Sequence, residues 1–90
     1  MVGTPYYLAP ELIMSEGYQY KADIWSLGVL LYEMCTFSYP FDEPNITRLS
    51  QAICQDDPNY NAIPSGISKN TIKIMKLMLS KDPAKRPSAI

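Results

Sequence analysis

Apolar residues crowd one stretch of the chain and recur periodically in two others. From Ile24 to Cys35 only Ser26, Gly28 and Glu33 are not apolar. That run predicts a helix over Ala22 to Thr36 with almost no polar face; such a helix must be surrounded by protein, and 90 residues hardly supply enough other material to do so. Asp23 can cap its start or sit in its first turn. Gly28 costs roughly 1 kcal/mol in a helix interior, so its presence predicts close packing against bare backbone. The run spans twelve residues; a bilayer crossing needs ~20.

Two further helices follow from spacing. Ile46, Leu49 and Ile53 fall at i, i+3 and i+7 and predict an apolar stripe over Ile46 to Cys54, with Asn45 as the cap. Ser68 caps a helix reaching about Leu79, with Ile67 and Ile72 at the two positions of a hydrophobic staple. Ile72, Met75 and Leu79 form its predicted inner face, with Ile74 and Met78 beside them. A short fourth helix, Pro10 to Met14, opens on a proline with Glu11 in its first turn and ends at Ser15-Glu16-Gly17. Residues 1–9, Phe37 to Pro44 and Asp56 to Gly66 read as loops, and Asp82-Pro83 stops the last long helix. Ser88 has the look of one more cap. The fold class is all-α: four helices of unequal length packed around one central apolar helix.

Composition narrows the chemistry. The 90 residues are 47% hydrophobic and 19% charged, a globular balance for one small domain at most. A net charge of −1 gives no bulk attraction for nucleic acid or an anionic membrane. The chain has two cysteines, Cys35 and Cys54, and no histidine. Neither cysteine belongs to a CxxC pair, so a zinc site or a His-assisted nucleophile has little support. Two buried thiols are the favoured reading over a Cys35–Cys54 bridge, and a reducing, intracellular, cytoplasmic setting fits them. No basic-then-apolar leader follows Met1.

Three separated stretches then carry a resemblance. Gly3-Thr4-Pro5-Tyr6-Tyr7-Leu8-Ala9-Pro10-Glu11 resembles the end of a protein-kinase activation segment, with its Ala-Pro-Glu. Asp23-Ile24-Trp25-Ser26-Leu27-Gly28 resembles the start of the central helix of the kinase C-terminal lobe. Asp82-Pro83-Ala84-Lys85-Arg86-Pro87-Ser88 resembles the loop whose arginine pairs with the Ala-Pro-Glu glutamate. Together, in this order, they are similar to a serine/threonine kinase over essentially the whole chain. Leu31-Tyr32-Glu33-Met34-Cys35-Thr36, Tyr39-Pro40-Phe41-Asp42 and Asn45 look most like NIMA-related kinases.

The resemblance implies a partial protein kinase domain over 1–90, truncated at both ends. Residues 1–11 would end the activation segment and 12–90 would form helical lobe. It also implies roles. Gly3, Thr4, Pro5, Tyr6 and Tyr7 would form the loop that receives the substrate beside the phosphorylated residue, because phosphoryl transfer is mostly positioning and electrostatics. Taken alone, the same residues are an ordinary proline-containing turn. Glu11 and Arg86 would form a buried ion pair, for which a planar guanidinium is well shaped. Asp23 would anchor the catalytic loop; read from the sequence alone it is a helix-start residue. Trp25 reads as core.

A full kinase also needs a Gly-rich loop, a strand lysine, its glutamate partner, His-Arg-Asp and Asp-Phe-Gly. None occurs in this sequence. No catalytic base or metal ligand is therefore assigned here, and the segment by itself is expected to be inactive. ATP and Mg²⁺ would be cofactors of the full-length parent, and its partner a protein substrate. Nucleic acid and membrane are not expected partners, and oligomeric state stays open. The alternative is a non-catalytic pseudokinase, or a truncated kinase-like module that binds protein without acting on it.

Overall fold

A computed structural model describes residues 6–13 and 20–87. Four α-helices follow one another: α1 Pro10–Ile13, α2 Tyr20–Thr36, α3 Ile46–Gln55 and α4 Lys69–Met78. No strand occurs among the described residues, so the architecture is all-helical. Helix α2 packs chiefly on α4, and α1 lies against α3. Met14, Ser15, Glu16, Gly17 and Ser88 lie outside the described residues.

Local side-chain bonds set the helix starts. The Asn45 side chain accepts from Arg48 N at 2.8 Å and begins α3. The Ser68 hydroxyl accepts from Thr71 N at 3.1 Å and begins α4. Each satisfies a backbone donor that the first helical turn leaves without a partner. Ile67 and Ile72 both pack against the core.

Two one-turn 3₁₀ helices lie where the pattern predicts only loop and stop: Tyr60–Ala62 and Pro83–Lys85. Asn59 accepts from Asn61 N at 3.1 Å, and Asp82 accepts from Ala84 N at 3.0 Å. A turn of three residues has no apolar period to announce it; a side chain bonding its own backbone creates it.

Trp25, Val29, Leu49, Ile53 and Met75 are wholly buried at the centre. Gly28 explains how α2 approaches α4. A Cβ there would stand 2.9 Å from Met78 Cβ and 3.1 Å from Leu79 Cδ2, inside normal contact distance. The bare backbone is what the contact requires.

Several expectations need correction. Ile46 does not belong to the buried stripe of α3; it is half exposed, and Ala52 joins Leu49 and Ile53 instead. On α4, Ile74 also faces outward, while Met78 is buried. Cys35 and Cys54 form no disulfide, but both thiols are half-buried rather than buried. Helix α2, by contrast, is covered on one side only, in keeping with the shortage of material to surround it. Ala22, Ile24, Trp25, Val29 and Tyr32 are buried, whereas Leu27, Leu30 and Met34 are 53%, 43% and 66% exposed. The described residues do not surround it.

Candidate functional site

Glu11 and Arg86, separated by 75 positions, meet out of water. Arg86 Nη1 donates to Glu11 Oε2 at 2.7 Å and Nη2 donates to Oε1 at 2.8 Å. The carboxylate and guanidinium are 1% and 2% exposed at the residue level. The remaining donors of Arg86 reach backbone carbonyls: Nε to Ser80 at 2.9 Å, Nη1 to Lys21 at 2.9 Å and Nη2 to Lys81 at 3.4 Å. All five guanidinium hydrogens thus have acceptors. A desolvated ion pair needs that, because burial removes water from both charges and only full bonding compensates. The guanidinium also lies 5.0 Å from the centre of the Trp25 ring. Lys21 Nζ returns a bond to the Arg86 carbonyl at 2.7 Å. The segment that ends in α1 is thereby fixed to the chain's last described turn and to the start of α2.

The residues just before α1 are pinned by a second cluster. The Tyr6 and Tyr39 rings stack at 3.8 Å with planes 5° apart, and Tyr7 meets Tyr39 edge-on at 6.0 Å. Tyr6 donates to Asp42 at 3.2 Å. Ser26 Oγ donates to the Tyr7 carbonyl at 2.7 Å, and the Tyr7 phenol donates to Glu33. The Glu33 hydrogen bond is the main cause that pushes the Tyr7 phenol up to about 12. Burial, then Asp42, pushes Tyr6 up as well.

The three interruptions of the apolar run now have uses. Ser26 and Glu33 hold Tyr7, and Gly28 admits α4. Spacing could have paired Ser26 with Glu33, seven residues apart and so on one helix face. Tyr39 and Asp42 were missed as partners of Tyr6 and Tyr7. Only the aromatic content of the Phe37 to Pro44 loop hinted at them.

Beside Tyr7 runs a cleft of about 510 Å³ lined by Asp23, Ile24, Ser26, Leu27 and Leu30. Asp23 sits in the first turn of α2 and is exposed. Its carboxylate has no hydrogen-bond or ion-pair partner among the described residues. Gly3, Thr4 and Pro5 lie outside the described residues, so the predicted receiving loop is seen only at Tyr6 and Tyr7.

Among the described residues no three Cys, Asp or Glu side chains gather to hold a metal ion. No helix among them is long and apolar enough to cross a membrane.

Comparison with known proteins bears on the family. The protein kinase domain family model matches residues 1–90. The chain is 44% identical over 87 residues to "Probable serine/threonine-protein kinase nek2" of Dictyostelium discoideum, covering 97% of the chain and 20% of that protein. It is 40% identical over 87 residues to human "Serine/threonine-protein kinase Nek5", covering 97% of the chain and 12% of that protein. It is 43% identical over 93 residues to human "Serine/threonine-protein kinase 10", covering 98% of the chain and 10% of that protein. The chain therefore spans a fifth or less of the length of these three relatives.

Proposed function

This chain belongs to the protein kinase family, and on that premise we propose that it is the substrate-receiving part of the helical lobe of an active serine/threonine kinase. In that kinase a γ-phosphoryl group of ATP passes to a protein Ser or Thr hydroxyl, with Mg²⁺ as the metal. This chain contributes neither nucleotide nor metal ligands. ATP and Mg²⁺ belong to parts of a kinase domain whose motifs this sequence does not carry.

The division of labour among the residues follows. Gly3, Thr4, Pro5, Tyr6 and Tyr7 receive the substrate chain. Tyr39, Ser26 and Glu33 keep the receiving loop in register with α2. Glu11 and Arg86 fix the end of that segment to the lobe. Asp23, with an unengaged carboxylate at the rim of an apolar cleft, accepts hydrogen bonds from a catalytic loop seated there. Phosphoryl transfer depends on holding acceptor and donor in line, so a segment held at Tyr6 and Tyr7 and again at Glu11 suits the chemistry. The thiols of Cys35 and Cys54 suit a reducing compartment inside the cell.

The observation that carries the reading is the double hold on Tyr7 by Ser26 and Glu33, next to the Glu11–Arg86 pair. The test is a graft. These 90 residues replace the matching 87-residue stretch in the kinase domain of human Nek5. The chimaera is expected to phosphorylate a Ser/Thr peptide with ATP, and Tyr39→Ala within it to raise the peptide KM more than it lowers kcat. A chimaera that folds, binds ATP and transfers no phosphate would defeat the proposal.

A further inference from the structure

The chain is electrically divided along its length. Six of its eight Lys and Arg residues follow Asp57, but only one of its nine Asp and Glu residues does, Asp82. Arg86 is neutralised internally by Glu11. The other five cations are lysines, and among the described residues none is ion-paired with a carboxylate. Four of them, Lys73, Lys76, Lys81 and Lys85, line a single cleft of about 600 Å³ between α4 and the turn at Pro83–Lys85.

The cleft walls are not only cationic. Tyr60, Leu77 and Leu79 add apolar surface, and Asp57 is the one carboxylate present. Two of the ammonium groups are held in place. Lys76 Nζ sits 5.2 Å from the centre of the Tyr60 ring. Lys81 Nζ donates to the Ile53 carbonyl at 2.7 Å and lies 4.4 Å from the Phe41 ring centre. Burial pushes Lys81 below the usual lysine value, so water screens an anion poorly at that end of the cleft.

We propose that this cleft docks an acidic peptide segment of a partner protein. One apolar side chain of the segment rests against Tyr60 and Leu77, and its flanking carboxylates meet Lys73, Lys76 and Lys85. Lysines are compact point charges, suited to net negative charge spread over several residues. Arginine would be the choice for bidentate capture of one phosphate, and no arginine lines this cleft. A small anion would leave the apolar walls unused. A nucleic acid would need an open aromatic face for stacking, and Lys76 covers the face of Tyr60. The inference stands apart from the phosphotransfer reading; it needs only the cleft.

The experiment is an anisotropy titration of the 90-residue chain with a labelled Asp-Glu-Glu-Leu-Asp-Glu peptide. The expected result is saturable binding that weakens as salt rises. Changing the peptide's Leu to Ser is expected to weaken binding several-fold. K73E/K76E and, separately, K85E are expected to weaken it about tenfold. All three lysines are exposed, and unchanged circular dichroism verifies that the variants keep their helices. K69E, on α4 but outside the cleft, is expected to change little. Equal losses in K69E and K85E, or indifference to the Leu-to-Ser change, would reduce the effect to diffuse charge and overturn the proposal. So would no binding, or tighter binding of inorganic phosphate, an RNA oligonucleotide or phosphatidylserine vesicles.

Discussion

Ser26 and Glu33 stand two turns apart on one face of α2 and grip opposite ends of the same residue. Ser26 takes the Tyr7 carbonyl at 2.7 Å, and Glu33 takes its phenol. A helix otherwise apolar over this span keeps two polar side chains for one neighbouring tyrosine.

That grip is measurable by titration. With Glu33 accepting its proton, the Tyr7 phenol ionises at about 12. In Glu33→Gln the carboxylate is gone, and the Tyr7 step in an ultraviolet titration is expected to move toward the ordinary value of about 10. Tyr7→Phe should delete the same step. An identical titration curve for Glu33→Gln and the parent would show that the bond does not form in solution.

Alkaline stability should report the tyrosines collectively. Burial, then Asp57, pushes Tyr60 up to about 12, and Tyr7 ionises at about the same value. The unfolded phenols ionise near 10. Above that pH the unfolded chain releases protons that the folded one retains, so their contribution is complete below pH ~10 and is lost between ~10 and ~12. Lys81, with its lowered folded value, opposes this: its contribution rises with pH below the usual lysine value. Urea midpoints measured across this window should fall with pH, and Tyr60→Phe should make the fall shallower. A Tyr60→Phe slope steeper than the parent's would contradict the assignment.

The buried ion pair predicts strong non-additivity. Arg86→Met or Glu11→Leu alone leaves one desolvated charge, at a cost of roughly 3–5 kcal/mol. The double variant removes both charges and should recover a large part of that loss, giving a coupling energy of about 1–3 kcal/mol by double-mutant cycle. Arg86→Lys is expected to behave like a deletion, because an ammonium cannot serve the Glu11 carboxylate and the carbonyls of Ser80, Lys21 and Lys81 together. Purely additive denaturant midpoints would mean the two side chains are hydrated.

Gly28→Ala sets two effects against each other. Alanine gains about 1 kcal/mol of helix propensity. The added methyl would lie 2.9 Å from Met78 Cβ, which is rigid with its own helix, and such overpacking costs typically ~1–3 kcal/mol. Net destabilisation is expected, read as a lower thermal midpoint. A raised midpoint would show α2 and α4 standing farther apart than described.

These cases mark what the sequence could disclose. The caps Asn45 and Ser68 and the end of α2 at Thr36 were legible, because each is decided by a few neighbouring residues, whereas α2 starts at Tyr20, two residues before the expected Ala22, which leaves Asp23 in the first turn and not at the cap. The outward turn of Ile46 was not, since an apolar period fixes a face but not how far along the helix its cover extends. For the same reason the excess of apolar surface on α2 was readable, while the side left bare at Leu27, Leu30 and Met34 was not. The meeting of Glu11 with Arg86 came only from resemblance; no local rule joins residues 75 apart. The stacking of Tyr6 on Tyr39 came from neither, because ring contacts across a fold leave no spacing to read.

Phe37 offers a stabilising change. It follows α2 with φ of 58° and is 93% exposed. A side chain in the left-handed region costs roughly 1–2 kcal/mol, and glycine is the usual occupant of this position after a helix. Its amide bonds the Glu33 carbonyl at 2.7 Å, which fixes the conformation. Phe37→Gly is expected to add about 0.5–1 kcal/mol after the entropy that glycine gains when unfolded, or several degrees in melting temperature. A lower melting temperature would assign the phenylalanine a packing role.

The bond between Glu11 and Arg86 also changes how the chain can come apart. Short peripheral turns ordinarily open first, at almost no free-energy cost. Here the first short helix and the last turn are each other's anchor, so neither can peel away alone. Amides of α1 and of the turn at Pro83–Lys85 should then exchange with solvent in step with those of α2, as members of one opening event.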